Sequence, residues 1–395
     1  MGLDSTRLSI LDSIAADAIS KGATPGCVVL VARNGRIAYE KAYGNFNYGF
    51  YEPVDTGTIY DMASVTKVCA TTLSLMKLYD EGKLDLQKRL GDYLPWTRGS
   101  DKENIKVEDM LLHQGGLVAY IPFYKEMISP AGVPLSKYFS PTPEAGFGIR
   151  VAENLYMRTD WRDTIYKRIL QSPLGQEGRY IYSDNDFIFL GKIVEAISGL
   201  PLDEYVQQNF YQPLGLLSTG FKPRERFPLT RVAPTEDEKY FRLQHLHGDV
   251  HDPGAALFGG VSGHAGLFSN AHDLAVIMEM LVDGGSFNGK QYIKKETIRL
   301  FSSYHSPISR RGYGFDKPEK DNTTRPEPYP CLSNSPYTFG HTGFTGTCVW
   351  ADPASRFVFI FLSNRVNPEG GDNKRLLNLN VRGKMMEAVY QAMIW

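Results

Sequence analysis

Long strand-forming runs occur only near the two ends of this 395-residue chain. Near the start, Cys27 to Ala32 and Arg36 to Tyr43 are β-rich and joined through Asn34-Gly35, a strong two-residue hairpin signal. Comparable runs return only at Gly346 to Ala351 and Arg356 to Ser363. Amphipathic helices flank both sets. Ser5 to Lys21 carries Leu8, Leu11, Ile14, Ala15 and Ala18 at helical spacing before a stop at Gly22, and a second helix runs from about Asn378 to Trp395. The middle reads as helices and long loops. A sheet can close only if the chain ends pair, so the pattern predicts an α/β (α+β) architecture. Residues 1–64 and 284–395 are expected to form a discontinuous lobe, an antiparallel sheet flanked by helices, with a mainly helical lobe of residues 65–283 inserted.

Where the first lobe gives way to the second stands Ser64-Val65-Thr66-Lys67. On a helix, residues three apart share a face, so the Lys67 amine can sit against the Ser64 hydroxyl and take its proton. A serine at a helix start also gains the dipole and the free N–H groups that an oxyanion needs. The plainer account is an N-cap serine and a solvated lysine. A second copy, Ser74-Leu75-Met76-Lys77, lies inside the helical pattern Val65, Val68, Cys69, Thr72, Leu73, Met76, Tyr79, and gains no such advantage.

Two further segments strengthen the first copy. Tyr182-Ser183-Asp184-Asn185 precedes an apolar helical run through Phe187, Leu190, Ile193, Val194 and Ile197, and His341-Thr342-Gly343 lies on a β-like segment between Gly340 and Phe344. Serine with lysine, then a hydroxyl with an amide or acid, then a basic-Thr-Gly strand, in that order, is a three-part signature. With it the chain resembles the serine β-lactamase and penicillin-binding-protein superfamily, most of all its class C β-lactamase, D-alanyl-D-alanine carboxypeptidase and related esterase branch. Leu111 to Leu117, Tyr205 to Leu216, Gly263 to Ser269 and His341 to Val366 are similar to that branch as well. The resemblance implies a β-lactamase-like fold with the active site in the cleft between lobes.

It also implies roles. Ser64 attacks a carbonyl to form an acyl-enzyme, Lys67 is the base or holds the charge so that its neighbour can act, and the Tyr182 hydroxyl shuttles the proton to the leaving group. Asp184 lies beside Lys67 where the commoner pattern has Asn, and a carboxylate there raises the lysine pKa. Ser183-Asp184-Asn185 matches the Ser-Asp-Asn of another class, so Ser183 is the alternative proton carrier; the surrounding stretches favour Tyr182. The backbone N–H groups of Ser64 and Phe344 are the expected oxyanion hole, with His341, Thr342 and Gly343 binding substrate. His341 replaces the usual lysine. With an unperturbed pKa of ~6.5 it is expected to attract carboxylate substrates only as the pH falls toward about 6, unless Arg179 or Arg365 supplies the charge. Gly340 and Gly343 are expected to let a substrate backbone approach.

His245-Leu246-His247-Gly248-Asp249-Val250-His251-Asp252 offers a rival, metal-dependent hydrolase, but its spacing misses the usual pattern by one residue. No cofactor or metal is therefore expected. A net charge of −1 argues against nucleic-acid partners, and no stretch approaches the ~20 apolar residues of a membrane span. Cys27, Cys69, Cys331 and Cys348 read as free core thiols. Met1 to Asp4 carries no signal peptide, so the sequence reads as cytoplasmic, or as periplasmic or extracellular if a leader has been removed. Tyr120 to about Asp160 is expected to shape the cleft through Phe123, Tyr124, Tyr138 and Phe139, and Pro318 to Pro336 to be a solvated loop. The chain thus reads as a serine acyl hydrolase acting on a β-lactam, a D-amino-acid cell-wall peptide or a small ester. The alternative is a penicillin-binding-like sensor or cell-wall binding module that acylates without turnover. Oligomeric state is left open.

Overall fold

Asn34 and Gly35 both sit at positive φ, +55° and +72°, the backbone of a tight hairpin turn. They join β1 (Gly26–Arg33) to β2 (Arg36–Gly44) in the computed structural model, which describes residues 2–394. Met1 and Trp395 lie outside the described residues. From the other chain end come β3 (Phe339–Thr342), β4 (Cys348–Asp352) and β5 (Phe357–Ser363). The five strands form one antiparallel sheet in the order β3-β4-β5-β1-β2, with Cys27 opposite Ser363 and Arg33 opposite Phe357. Gly346, expected at the start of β4, belongs to the turn before it.

Three helices cover this sheet, α1 (Ile10–Ser20), α4 (Ala271–Val282) and α5 (Val381–Gln391), while α2 (Leu73–Asp80) and α3 (Asp184–Ser198) pack on each other in the helical region between the strand sets. Every residue of β1 and β5 is buried because both sheet faces are covered. Val29, Val31, Phe359 and Phe361 face α1 and α5 through Leu11, Ala15, Met385 and Val389. Val28, Leu30, Val358 and Ile360 face the other way, toward Leu274, Ile277 and Met278 of α4. Each such side chain contributes about 1.5–3 kcal/mol by leaving water. A lobe boundary at residue 283 therefore cuts α4 from the sheet it covers; its N-cap, Asn270, accepts the Asp273 N–H at 2.9 Å.

Between the two strand sets the chain is mainly helical. A helical run begins at Ala63–Val65, passes through a wide π-helical segment at Lys67–Thr72 and continues as α2. Tyr60–Asp61 pairs with Phe268–Ser269 just before it. The four cysteines are buried and free. Among the described residues no helix is long and apolar enough to cross a membrane. The Pro318–Pro336 segment is less solvated than expected: Asn322 and Cys331 are buried, and the Asn322 amide donates to the Cys331 carbonyl at 2.7 Å.

Candidate active site

The turn that presents Ser64 is strained. Ala63 holds φ at +44°, rarely adopted by a residue with a Cβ. Asp61 fixes it: one carboxylate oxygen accepts the Ala63 N–H at 2.8 Å and the other the His251 N–H at 2.7 Å. One helical turn on, the fully buried Lys67 amine donates to Ser64 Oγ at 3.0 Å, to Asp184 Oδ1 at 2.7 Å and to the His264 carbonyl at 3.2 Å. Those three acceptors use all three ammonium protons. Burial pulls the Lys67 pKa down, but Asp184 and Tyr182 more than restore it, and the net shift is upward. In the second copy, by contrast, Ser74 Oγ is buried and donates to the Ala70 carbonyl at 2.8 Å, while Lys77 pairs with Glu81 at 3.0 Å.

A single loop cradles the second motif. The Ile181 N–H donates to the His113 carbonyl at 2.9 Å, and the Ser183 N–H to His113 Nδ1 at 3.2 Å, so Tyr182 is pinned on both sides. The His113 ring lies 4.5 Å from the Tyr182 ring. Behind it Asp186 Oδ2 stands 3.0 Å from Nδ1; burial pushes the acid's pKa well up and the imidazole's well down. Further along the loop, Ala119 accepts the Asp184 N–H at 2.9 Å and Val118 accepts Ser183 Oγ at 2.7 Å. Ser183 is fully buried and its hydroxyl is engaged there, whereas Tyr182 and Asp184 line the cleft with Ser64. That geometry ties the Ser183 hydroxyl to the loop rather than to the cleft.

The third motif is stapled to the first. Thr345 Oγ1 donates to the Asp61 carbonyl at 2.7 Å and Thr347 Oγ1 to the Met62 carbonyl at 3.2 Å. A Cβ on Gly343 would collide with that same Met62 carbonyl and with Thr347, and one on Gly340 with Val349 and Trp350. These glycines are required by the protein's own packing, not by an approaching substrate. Half-buried Thr342 ends β3, and exposed Phe344 follows Gly343 at the cleft wall. Among the described residues, neither the Ser64 nor the Phe344 N–H has a hydrogen-bond acceptor.

His341 differs most from expectation. It is buried; Nδ1 donates to the Thr342 carbonyl at 2.7 Å, and Nε2 accepts from the Arg311 guanidinium at 3.2 Å. Burial, and then Arg311, push its pKa down to about 3. His341 therefore stays neutral throughout the range from about pH 7.5 to about pH 6 and cannot become the expected pH-gated cation. The fixed charge beside it is Arg311, not Arg179 or Arg365. Arg311 also lies 5.2 Å from the Tyr182 ring and 3.8 Å from Asp316. Its sequence context, Ser309-Arg310-Arg311-Gly312, carries no motif.

Tyr120 and Tyr124, from the segment expected to shape the cleft, line a cavity of about 460 Å³ together with Ser64. Phe123 and Phe139 are instead core residues, and Tyr138 packs edge-on against Trp161. The three histidines of the rival metal reading diverge. His245 meets Asp237, His247 meets the Val232 and Leu229 carbonyls, and His251 meets Glu236. Among the described residues no three His, Cys, Asp or Glu side chains are grouped to hold a metal ion.

Comparison with known proteins adds an independent line. A family model described as Beta-lactamase matches residues 11–382. A protein of Escherichia coli (strain K12) named "Putative D-alanyl-D-alanine carboxypeptidase" is 32% identical, the match covering 98% of this chain and 89% of that one. Among solved structures, EstCE1, a hydrolase with promiscuous acyltransferase activity, superposes with a TM-score of 0.68 at 22% identity, covering 98% of this chain and 99% of the other. A penicillin-binding protein homologue from Caulobacter crescentus also gives 0.68, at 21% identity and with 100% and 99% covered. At such identities the two structures speak to the fold alone.

Proposed function

The chain belongs to the beta-lactamase family, has its fold and is a serine hydrolase, and from that premise we propose that it cleaves small esters and amides through an acyl-enzyme on Ser64. The observation that carries this reading is the 3.0 Å contact between the fully buried Lys67 amine and the Oγ of Ser64, which itself lines an open cleft. Ser64 Oγ attacks the carbonyl carbon, and the tetrahedral oxyanion is received by the Ser64 and Phe344 N–H groups. The serine proton passes to Lys67. Tyr182, against the Lys67 amine, delivers a proton to the leaving group as the carbon–heteroatom bond breaks. Water then repeats the sequence on the acyl-enzyme and restores Ser64.

The three acceptors around Lys67 add a condition. Its ammonium has no lone pair, so it must shed a proton before it can take one from Ser64. Asp184 opposes that loss by holding the lysine pKa up. Activity on a p-nitrophenyl ester is therefore expected to climb with pH through the neutral and alkaline range, and Asp184→Asn to move the climb to lower pH. A kcat/KM profile of the two proteins checks this; an unmoved profile would mean that Lys67 does not set it.

Neutral esters and amides are favoured over carboxylate-bearing substrates because no lysine or arginine is among the cleft-lining residues. The D-alanyl-D-alanine carboxypeptidase name carried by the relatives favours D-amino-acid peptides as the second reading. Intact-protein mass spectrometry after mixing with p-nitrophenyl esters and a β-lactam panel tests both. An ester acyl mass should appear on the unmodified protein, decay as product forms, and be absent from Ser64→Ala. An adduct that never clears would turn the enzyme into a sensor, and no adduct under any condition would end the acyl-enzyme reading.

A further inference from the structure

We propose, building on the serine-hydrolase reading above, that Asp186 donates a hydrogen bond to His113 and so makes His113 the clamp that orients Tyr182 toward Lys67. Neither Asp186 nor His113 is among the residues lining the cavity beside Ser64. Both act through another side chain, as positioning residues.

His113 has a strained backbone. It is buried and holds φ at +56°, in the turn that follows the short helix Val107–Leu111. A buried residue with a Cβ persists in that region only where its surroundings impose it, and such residues gather at functional sites. Here the turn aims the carbonyl and the ring of one residue at a single neighbouring segment, where they take the N–H groups of Ile181 and Ser183 on either side of Tyr182. The imidazole also packs on the Tyr182 ring, whose other neighbours are the Lys67 amine at 5.0 Å and the Arg311 guanidinium at 5.2 Å.

The contacts of Nδ1 decide which group donates. The Ser183 N–H meets Nδ1 at 3.2 Å, so that nitrogen offers its lone pair. Asp186 Oδ2 lies 3.0 Å from the same nitrogen. An ionised carboxylate there would set lone pair against lone pair, whereas the neutral acid brings the missing hydrogen. A hydrogen on Nδ1 would suit Asp186 but leave the Ser183 N–H facing another N–H, and a charged imidazole would add a third cation to Lys67 and Arg311. Burial acts in the same sense, raising the acid's pKa and lowering the imidazole's. Asp186 Oδ1 is buried without a donor, which a neutral acid bears at lower cost than a charged carboxylate. His113 Nε2 has no partner in either tautomer and favours neither.

Steady-state hydrolysis of p-nitrophenyl acetate by Asp186→Leu, Asp186→Asn and Tyr182→Phe, alone and combined, tests the clamp. Asp186→Leu keeps the bulk but has no hydrogen to give, and should lower kcat about tenfold with KM little moved, the loss expected of a misplaced acid. Asp186→Asn can donate through its amide and should restore most of that rate. In the Tyr182→Phe background Asp186→Leu should lower kcat no further, because the group it orients is gone. An equal loss in both backgrounds overturns the proposal, as does an Asp186→Asn no faster than Asp186→Leu. Should the leucine variant fail to fold, nitrogen NMR of the imidazoles in the unmodified protein decides. With His113 assigned through its contact with the Tyr182 ring, a bare Nδ1 and a protonated Nε2 are expected at a pH of about 7, and a protonated Nδ1 overturns the clamp. The two readings fail separately: full activity in Tyr182→Phe ends the proton-transfer reading and the clamp with it, whereas a slow Tyr182→Phe beside an unimpaired Asp186→Leu ends only the clamp.

Discussion

Ser64→Ala is expected to abolish measurable ester hydrolysis, a fall of at least ~10⁴-fold in kcat, because the proposed acyl-enzyme would have no oxygen left to form on. Ser74→Ala is its control. That hydroxyl is buried and bonded to the Ala70 carbonyl, so its loss is expected to cost about 1 kcal/mol of stability and leave kcat/KM in place. Steady-state rates on p-nitrophenyl acetate, with a thermal melt for each variant, separate the two outcomes. Full activity in Ser64→Ala would show that the cleft works without its serine.

Tyr182→Phe is expected to have the second-largest effect. The substitution keeps the ring that packs on His113 and removes only the hydroxyl, so kcat should fall by ~10²–10⁴-fold while the melting temperature scarcely moves. Ser183→Ala should show the reverse. Its hydroxyl supports the loop through Val118, and losing that bond is expected to lower stability by about 1 kcal/mol with a minor change in rate. Rates and melts on the same pair decide; a larger rate loss in Ser183→Ala would reassign the proton transfer.

Much of this was legible in sequence where chemistry and local geometry coincide. The hairpin at Asn34-Gly35 and the apolar run Phe357 to Leu362 of β5 each depend on residues adjacent in the chain. The same holds for the i, i+3 pairing of Ser64 with Lys67. What sequence could not show was which side chains distant segments bring together. His341 looked like a titrating histidine because nothing near it in the chain reveals Arg311, 30 positions away, donating to its ring. Gly343 looked like an opening for substrate because the Met62 carbonyl that fills the space belongs to another part of the chain. The pairing of Glu236 with His251 escaped notice for a similar reason. His251 was grouped with His245 and His247 by spacing, yet only His245 lies on the strand Gln244–Leu246, and the bend beyond it sets His251 against Glu236 of the strand paired with it.

The staple between the first and third motifs also governs when the enzyme comes into being. The Thr345 hydroxyl reaches an Asp61 carbonyl 284 residues earlier in the chain, and the loop it closes is among the longest the chain allows. A nascent polypeptide holds Ser64 and Lys67 early in synthesis, but it lacks the segment that braces their turn, and with it the proposed second oxyanion donor, until the final strands emerge. The half-made protein is a nucleophile without a pocket. Completion of the sheet is thus the step that braces the turn carrying Ser64.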